Sequence, residues 1–544
     1  MLSFILCLCL RATADDAAIQ THIQTLASRK SSERAVALDA LVATGDARMV
    51  PFFDAYRIGS IYLREGVPFI GGDVITDNNL DQFVSLTSVL TGETLLDENG
   101  EPELIPLLEL ENLSPNRKER IKVRSVSMLL NLSSPDKDTR LKAAKQAGVS
   151  PLQTDAIPFL TGLAENDPSR KIRHTAAESM ALIEFGTSDD VDVRMDAIRS
   201  LGELNSLRAL ALVENLLEKD ETLTPKQTAI VTAARKNIIT HQQKVKFFDN
   251  FKFGLSTGSI YILMALGLAI IYGLMGVINM AHGEMMMIGA YTTFVLQKVF
   301  GHGPESPQNH FFLVALPASF LVAALVGWVI ERLVVRKLYH RPFESLLATV
   351  GVSFILIQVV RLIFGDNQSS NSPTWLVGGF EVANDMTLSF NRVFIFFLTM
   401  AAVAGVMVLM RYTTFGLKVR ATMQHREMAA SVGIHTRRMY SMTFMLGSGL
   451  AGLAGCALTT VSGITPDMGQ NYIVDSFLIV VIGGVGELIG VVCSGLGMGI
   501  ILQSLENSFF SPVWAKIIIL TMVVAFIQFR PAGLFPPKGR LADV

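Results

Sequence analysis

The chain has 544 residues, half of them hydrophobic, and a net charge of −2. Its mean hydropathy of +0.41 makes at least part of it a membrane protein, and its pI near 6.5 argues against a nucleic-acid-binding surface. Four cysteines, Cys7, Cys9, Cys456 and Cys493, have the spacing of neither a zinc site nor a disulfide framework and read as small buried hydrophobes.

Residues 1–14 read as a signal peptide. LSFILCLCL supplies an apolar core and Ala12-Thr13-Ala14 an A-x-A-like cleavage site, while the usual basic start is missing. Residues 15–245 then form a soluble exported domain, because no uncharged run there is long enough to span a bilayer. Segments beginning at Asp136, Asp167 and Asp190 share one pattern. A capping acid or proline turn comes first, then basic residues before Ala or Ile at helical spacing. Paired helices of this kind stack as a HEAT-like repeat, and Ser32–Leu41 is a fainter copy. Residues 57–113 interrupt the helices with aromatic, β-branched and glycine residues, predicting an irregular or β insertion. Such a domain serves either as a protein-binding surface or as a rigid cap. No GxxxxGK[ST] phosphate loop occurs, and His174 and the scattered carboxylates form no catalytic pattern. The chain is therefore expected to be no enzyme and to carry no cofactor. A basic helix over 226–252 leads into the membrane domain, 246–540.

Apolar runs predict an all-α, polytopic domain with spans near 253–275, 278–299, 311–331, 345–364, 393–410, 441–463, 475–504 and 513–529. Loops 332–341 and 411–440 and the tail, with Arg530, Lys538 and Arg540, are basic. Loops 365–390 and 464–475 hold no Lys or Arg. The first group is expected in the cytoplasm and the second outside. An even number of crossings must then join 411–440 to the tail, yet three are counted. The segment 475–504 is too long for one span and carries Gly483, Gly484, Gly486 and Gly490, which predicts a broken helix there and eight or nine spans in all. The same count places the N-terminal domain outside.

The second span holds a polar knot, Asn279, His282 and Glu284, among small residues. Such groups are costly in lipid unless they face protein or water. One role is structural, with Asn279 and His282 bonding neighbouring helices and Glu284 capping a broken one. The other is lining a solute path, together with Thr349, Ser353, Ser448 and Thr459. A metal site would need more ligands, and no HExxH pattern is present. The loop 411–440 is patterned as one or two short amphipathic helices, with Val419, Met423, Met428, Ala429 and Val432 as an apolar stripe. It can seat in a partner's groove or lie on anionic lipid.

Five motifs in order, INMAHGE with GAY (278–291), RPFESLLATVG (341–351), EMAASVGI (427–434), GGVGELIG (483–490) and FRPAGLF (529–535), resemble the branched-chain amino acid and urea permease family. The resemblance covers residues 255–540 and implies a membrane subunit of an ATP-binding-cassette importer in a bacterial inner membrane. It further implies a second homologous permease chain, two cytoplasmic ATPases and an external solute-binding protein. ATPase docking would fall on Arg420, Glu427, Ala429, Ala430 and Gly433. The long exported extension resembles the urea branch of that family, with branched-chain amino acids as the alternative substrate. A passive urea channel and a membrane-anchored scaffold are the readings outside that class.

Overall fold

The computed structural model describes residues 16–28, 30–43, 49–76, 82–89, 91–97, 102–149, 152–219, 224–300, 311–339, 341–370, 372–508, 512–531 and 533–535. The expected signal peptide lies outside the described residues, as do Lys538 and Arg540. The chain divides into two units, residues 1–242 and 243–544.

In the first unit, α1 (Asp16–Thr25), α2 (Ser31–Ala43) and α3 (Val50–Ile58) precede six strands. These are β1 (Ile61–Arg64), β2 (Val67–Gly71), β3 (Ile75–Thr76), β4 (Gln82–Ser88), β5 (Leu104–Pro106) and β6 (Glu111–Asn112). The stretch expected to be irregular or β is thus an antiparallel sheet of order β3-β4-β2-β1-β6, with β5 also on β4. Alternation along β1 explains its place. Ile61 and Leu63 join Phe52, Phe53 and Tyr56 of α3, while Tyr62 points to the other face, with Val84, Leu86 and Ile105.

Helices α4 (Arg117–Leu132), α5 (Lys137–Ala147), α6 (Ile157–Asn166), α7 (Arg170–Thr187), α8 (Val191–Glu203) and α9 (Leu210–Lys219) follow. Their starts obey side-chain chemistry. Asn116 and Glu119 form a reciprocal capping box on α4. Asp136 accepts from the Thr139 N–H at 2.8 Å, and Asp190 from the Asp192 N–H at 2.9 Å. Asp167 does not cap. It accepts from the Ser169 N–H and pairs with Arg140, each at 2.8 Å, fixing the turn before α7.

Helix α10 (Pro225–Met275) crosses from the first unit into the second, which continues with α11 (His282–Phe300), α12 (Phe311–Leu333) and α13 (Pro342–Phe364). A hairpin of β7 (Gly379–Ala383) and β8 (Met386–Ser389) leads to α14 (Phe390–Tyr412), α15 (Thr414–Gln424), α16 (Arg426–Ser431), α17 (Thr436–Leu458), α18 (Met468–Gly483), α19 (Leu488–Ser508) and α20 (Pro512–Phe529). Among the described residues seven helices are long and apolar enough to cross a membrane: α10, α12, α13, α14, α17, α19 and α20. α11 and the 16-residue α18 are apolar helices outside that set.

The loops sort to two ends of this bundle. Reciprocal backbone hydrogen bonds of 2.9 Å join Gln368 to Ile464, so the two loops without basic residues meet. At the other end the Arg426 guanidinium lies 5.2 Å from the Tyr440 ring and 5.9 Å from that of Tyr339, bringing the basic loops together. The break between α18 and α19 falls at this basic end, where Gly486 lies against Gly273 and the Met423 side chain. The Leu534 N–H donates to the Ile482 carbonyl at 2.7 Å, so the segment after α20 returns to this end too. α17, α18, α19 and α20 therefore run alternately between the two ends of the bundle. The hairpin between α18 and α19 closes through contact of Gly483 with Gly490. A Cβ on Gly490 would stand 2.0 Å from the Gly483 carbonyl oxygen.

Candidate functional site

Helix α10 stops at Met275, the Gly276 N–H making its last bond to the Tyr272 carbonyl, and the chain runs irregularly to Ala281 before α11 begins. Asn279 organises this return, its Oδ1 accepting from the Ala281 N–H at 3.1 Å. His282 Nε2 lies 3.1 Å from the Met264 carbonyl oxygen, halfway along the apolar part of α10. The return thus climbs back along α10 and starts α11 inside the bundle. Two hydroxyls of α13 complete the arrangement. Thr349 Oγ1 accepts from the Met280 N–H at 3.2 Å, and the Ser353 hydroxyl donates to Glu284 Oε1 at 2.7 Å. Asn279, His282, Glu284 and Thr349 are at most 1% exposed and Ser353 is buried with them.

These five predicted residues therefore form one buried cluster that pins α10, α11 and α13 together. Asn279 Nδ2, His282 Nδ1 and Glu284 Oε2 carry no hydrogen-bond partner among the described residues, so the cluster also holds two polar nitrogens and a carboxylate oxygen in reserve. Ser448 and Thr459 do not belong to it. Ser448, buried on α17, packs where Gly327 of α12 makes room for it. The Thr459 hydroxyl donates to the Cys456 carbonyl at 2.8 Å and lines a separate cavity. No group of three or more His, Cys, Asp or Glu able to hold a metal occurs among the described residues.

That cavity, of about 390 Å³, opens at the end with the Gln368–Ile464 pairing. Its wall includes Ser370, Ser372, Asn391, Arg392, Thr459 and Thr460. A neighbouring cavity of about 520 Å³ shares Ser462 and Gly463 with it and is lined by Tyr261, Asn471, Tyr472, Gln503, Glu506 and Lys516. Beside it, the Tyr261 hydroxyl donates to Asp475 at 2.9 Å. Arg392 and the Tyr261–Asp475 pair escape a reading by motif. Asp475, a lone acid within an apolar run, was the available signal.

The basic end holds the second candidate region. The single apolar stripe expected over 419–432 is split in two. His425 takes an extended conformation, with φ of −156°, so α15 and α16 do not share a face. Val419 and Ala429 turn inward, whereas Met428 and Val432 are 65% and 78% exposed. Arg420 donates to the Met410 carbonyl, and Glu427 and Ala430 face outward. Gly433 ends α16 with φ of +88°, its N–H bonded to Ala430 and that of Ile434 to Ala429, each at 3.0 Å. This Schellman cap is the physical content of the Ala429-Ala430-x-x-Gly433 spacing. Behind it, Glu331 is fully buried and accepts from Arg336 at 2.9 Å, from Ser441 at 2.7 Å and from the Tyr339 hydroxyl.

The family model for the branched-chain amino acid transport system permease component matches residues 250–527, just over half of the chain. The chain belongs to this permease family. It is 28% identical over 301 residues to the high-affinity branched-chain amino acid transport system permease protein LivH of Salmonella typhimurium, covering 54% of this chain and 96% of LivH. It is 28% identical over 287 residues to BraD of Pseudomonas aeruginosa, another such permease, covering 52% and 93%. LivM of Escherichia coli matches at 25% over 302 residues, covering 51% and 68%. No solved structure matches. The matched region contains the buried cluster, both cavities and the α15–α16 segment, so all belong to the permease fold rather than to the N-terminal unit.

Proposed function

We propose that the chain is the permease subunit of an ATP-binding-cassette importer that moves urea inward by alternating access. The observation that carries the importer reading is the α15–α16 segment. Two short helices, closed by the Gly433 cap, present Met428 and Val432 outward at the basic end of the bundle. A rigid element of this shape can seat on an ATPase and pass its closure to the spans as a rigid-body push. The chain does no covalent chemistry in this reading. It pairs with a second homologous permease chain and two cytoplasmic ATPases, and an external binding protein delivers the solute. The basic end faces the cytoplasm of a bacterial inner membrane. The N-terminal unit, a HEAT-like exported domain, lies outside and either receives the binding protein or covers the mouth.

Urea is supported by the hydroxyl-rich lining of the cavity around Thr459 and Thr460. Transport of branched-chain amino acids is the second reading, supported by the names of LivH and BraD. Uptake of labelled urea and labelled leucine, in cells with and without the gene, separates them. Urea uptake lost with the gene and with ATP depletion supports the proposal. Loss of leucine uptake alone replaces the substrate, urea entry that survives ATP depletion indicates a channel, and loss of neither leaves a scaffold.

A further inference from the structure

The cavity around Arg392 has an unusual division of donors and acceptors. Four wall hydroxyls have already committed their hydrogens to the protein. Ser370 donates to Gln297 Oε1 at 2.8 Å and Ser372 to the Thr460 carbonyl at 3.1 Å. Thr459 and Thr460 donate to the Cys456 and Ala457 carbonyls, each at 2.8 Å. A hydroxyl has one hydrogen and two lone pairs, so what these groups retain for a ligand is acceptor capacity. The Asn391 amide is occupied as well. Its nitrogen donates to the Thr460 carbonyl at 3.0 Å and its oxygen accepts from the Arg392 N–H at 2.9 Å.

Arg392 is the opposite. Its half-buried guanidinium lies 4.1 Å from the Phe253 ring and makes no ion pair or side-chain hydrogen bond among the described residues. A guanidinium offers five N–H donors in a fixed plane and accepts nothing. A partly desolvated, unpaired fork of this kind favours an oxygen acceptor. With Ser369, Ser389 and Ser462, whose hydroxyls can donate or accept, the wall thus pairs several hydroxyl acceptors with one strong cationic donor group.

We propose that this cavity is an entry site for a small neutral diamide of the urea class. The ligand's N–H groups meet the hydroxyl oxygens of Ser370, Ser372, Thr459 and Thr460, and its carbonyl oxygen meets the Arg392 guanidinium. A ligand with four N–H donors and one carbonyl matches that inventory. A branched-chain amino acid can also set its carboxylate on Arg392 and its ammonium on the hydroxyls, but its aliphatic side chain finds only Phe253 and Val461 as apolar wall and would desolvate the hydroxyls around it. The proposal rests on the importer and urea readings above, which put this end of the bundle outside the cell.

The test is the concentration dependence of labelled-urea uptake by the full transporter, at equal membrane abundance, in wild type, R392Q, R392K and T460V. R392Q should lower uptake efficiency about tenfold, as expected for loss of a charge-assisted hydrogen bond. R392K should restore most of it. T460V, of similar shape but without the hydroxyl, should lower it several-fold. Wild-type efficiency in both R392Q and T460V would overturn the site, as would equal losses in R392Q and R392K. If R392Q does not accumulate in the membrane, R392K and T460V decide, the site standing only if R392K works and T460V is impaired. Wild-type uptake of leucine but not urea would instead overturn the substrate reading, and uptake of neither the importer reading.

Discussion

The Ser353 hydroxyl donates to Glu284 Oε1 at 2.7 Å, and both side chains are buried. This bond ties α13 to the first turn of α11. Ser353→Ala leaves that oxygen without its donor, at a cost of about 1–3 kcal/mol. Thermal unfolding of the purified chain, followed by fluorescence-detected size exclusion, should show a lower midpoint for S353A. Glu284→Gln keeps an acceptor for Ser353 and should lie closer to wild type. An S353A midpoint equal to wild type would remove the bond from the account of stability.

Gly433 sits at φ of +88° with open space around its missing side chain. The cost of a substitution is therefore backbone strain, about 1–2 kcal/mol, rather than a clash. Gly433→Glu should abolish uptake while insertion and membrane abundance remain normal. Gly433→Asn, which tolerates this conformation, should retain most activity. Normal uptake by G433E would sink the docking assignment.

Glu331 is fully buried and its Arg336 partner is 29% exposed. Arg336→Met strands a buried carboxylate, for which about 3 kcal/mol is expected. The double variant Arg336→Met with Glu331→Gln should recover a good part of that loss. A double-mutant cycle on the thermal midpoint measures the coupling, and additive losses would show that the pair is not energetically linked.

In the first unit burial, the largest single influence, would raise the Glu119 carboxyl, but the Arg34 guanidinium, the Asn116 N–H and the Tyr56 hydroxyl together outweigh it and hold it below the usual glutamate range. A carboxyl lowered on folding contributes stability that is complete above its unfolded value and lost as pH falls through the folded one. Hydrogen exchange of the intact chain should therefore show α2 and the start of α4 losing protection as pH drops below the ordinary glutamate range. In Glu119→Gln that acid dependence should be flattened and protection at neutral pH reduced. An unchanged acid profile in E119Q would assign the loss to other carboxylates.

Much of this arrangement is legible in the chain. Periodicity places most of the membrane helices to within a few residues, and charge counting with parity locates the break at Gly483–Gly490 before any contact is known. The buried cluster is also visible, because Asn279, His282 and Glu284 stand out against an apolar background. Long-range pairing is not visible. Nothing local ties Thr349 and Ser353 to residues 69 positions earlier while leaving Ser448 and Thr459 elsewhere. The split stripe is missed for a local reason, since one extended residue, His425, resets the helical phase between α15 and α16. Arg392 reads as an ordinary interfacial arginine until the loops around Ser370 and Thr459 fold beside it.

The contact between Gly483 and Gly490 also bears on how the protein is made. With 16 residues at about 1.5 Å each, α18 is roughly 24 Å long, short of the roughly 30 Å hydrocarbon layer. Leaving the translocon alone, it would be a poor candidate for stable partitioning into lipid. α19 follows after four residues and packs directly against it at the turn. A pair packed in this way is expected to enter the bilayer as a helical hairpin, α18 partitioning together with α19 rather than ahead of it.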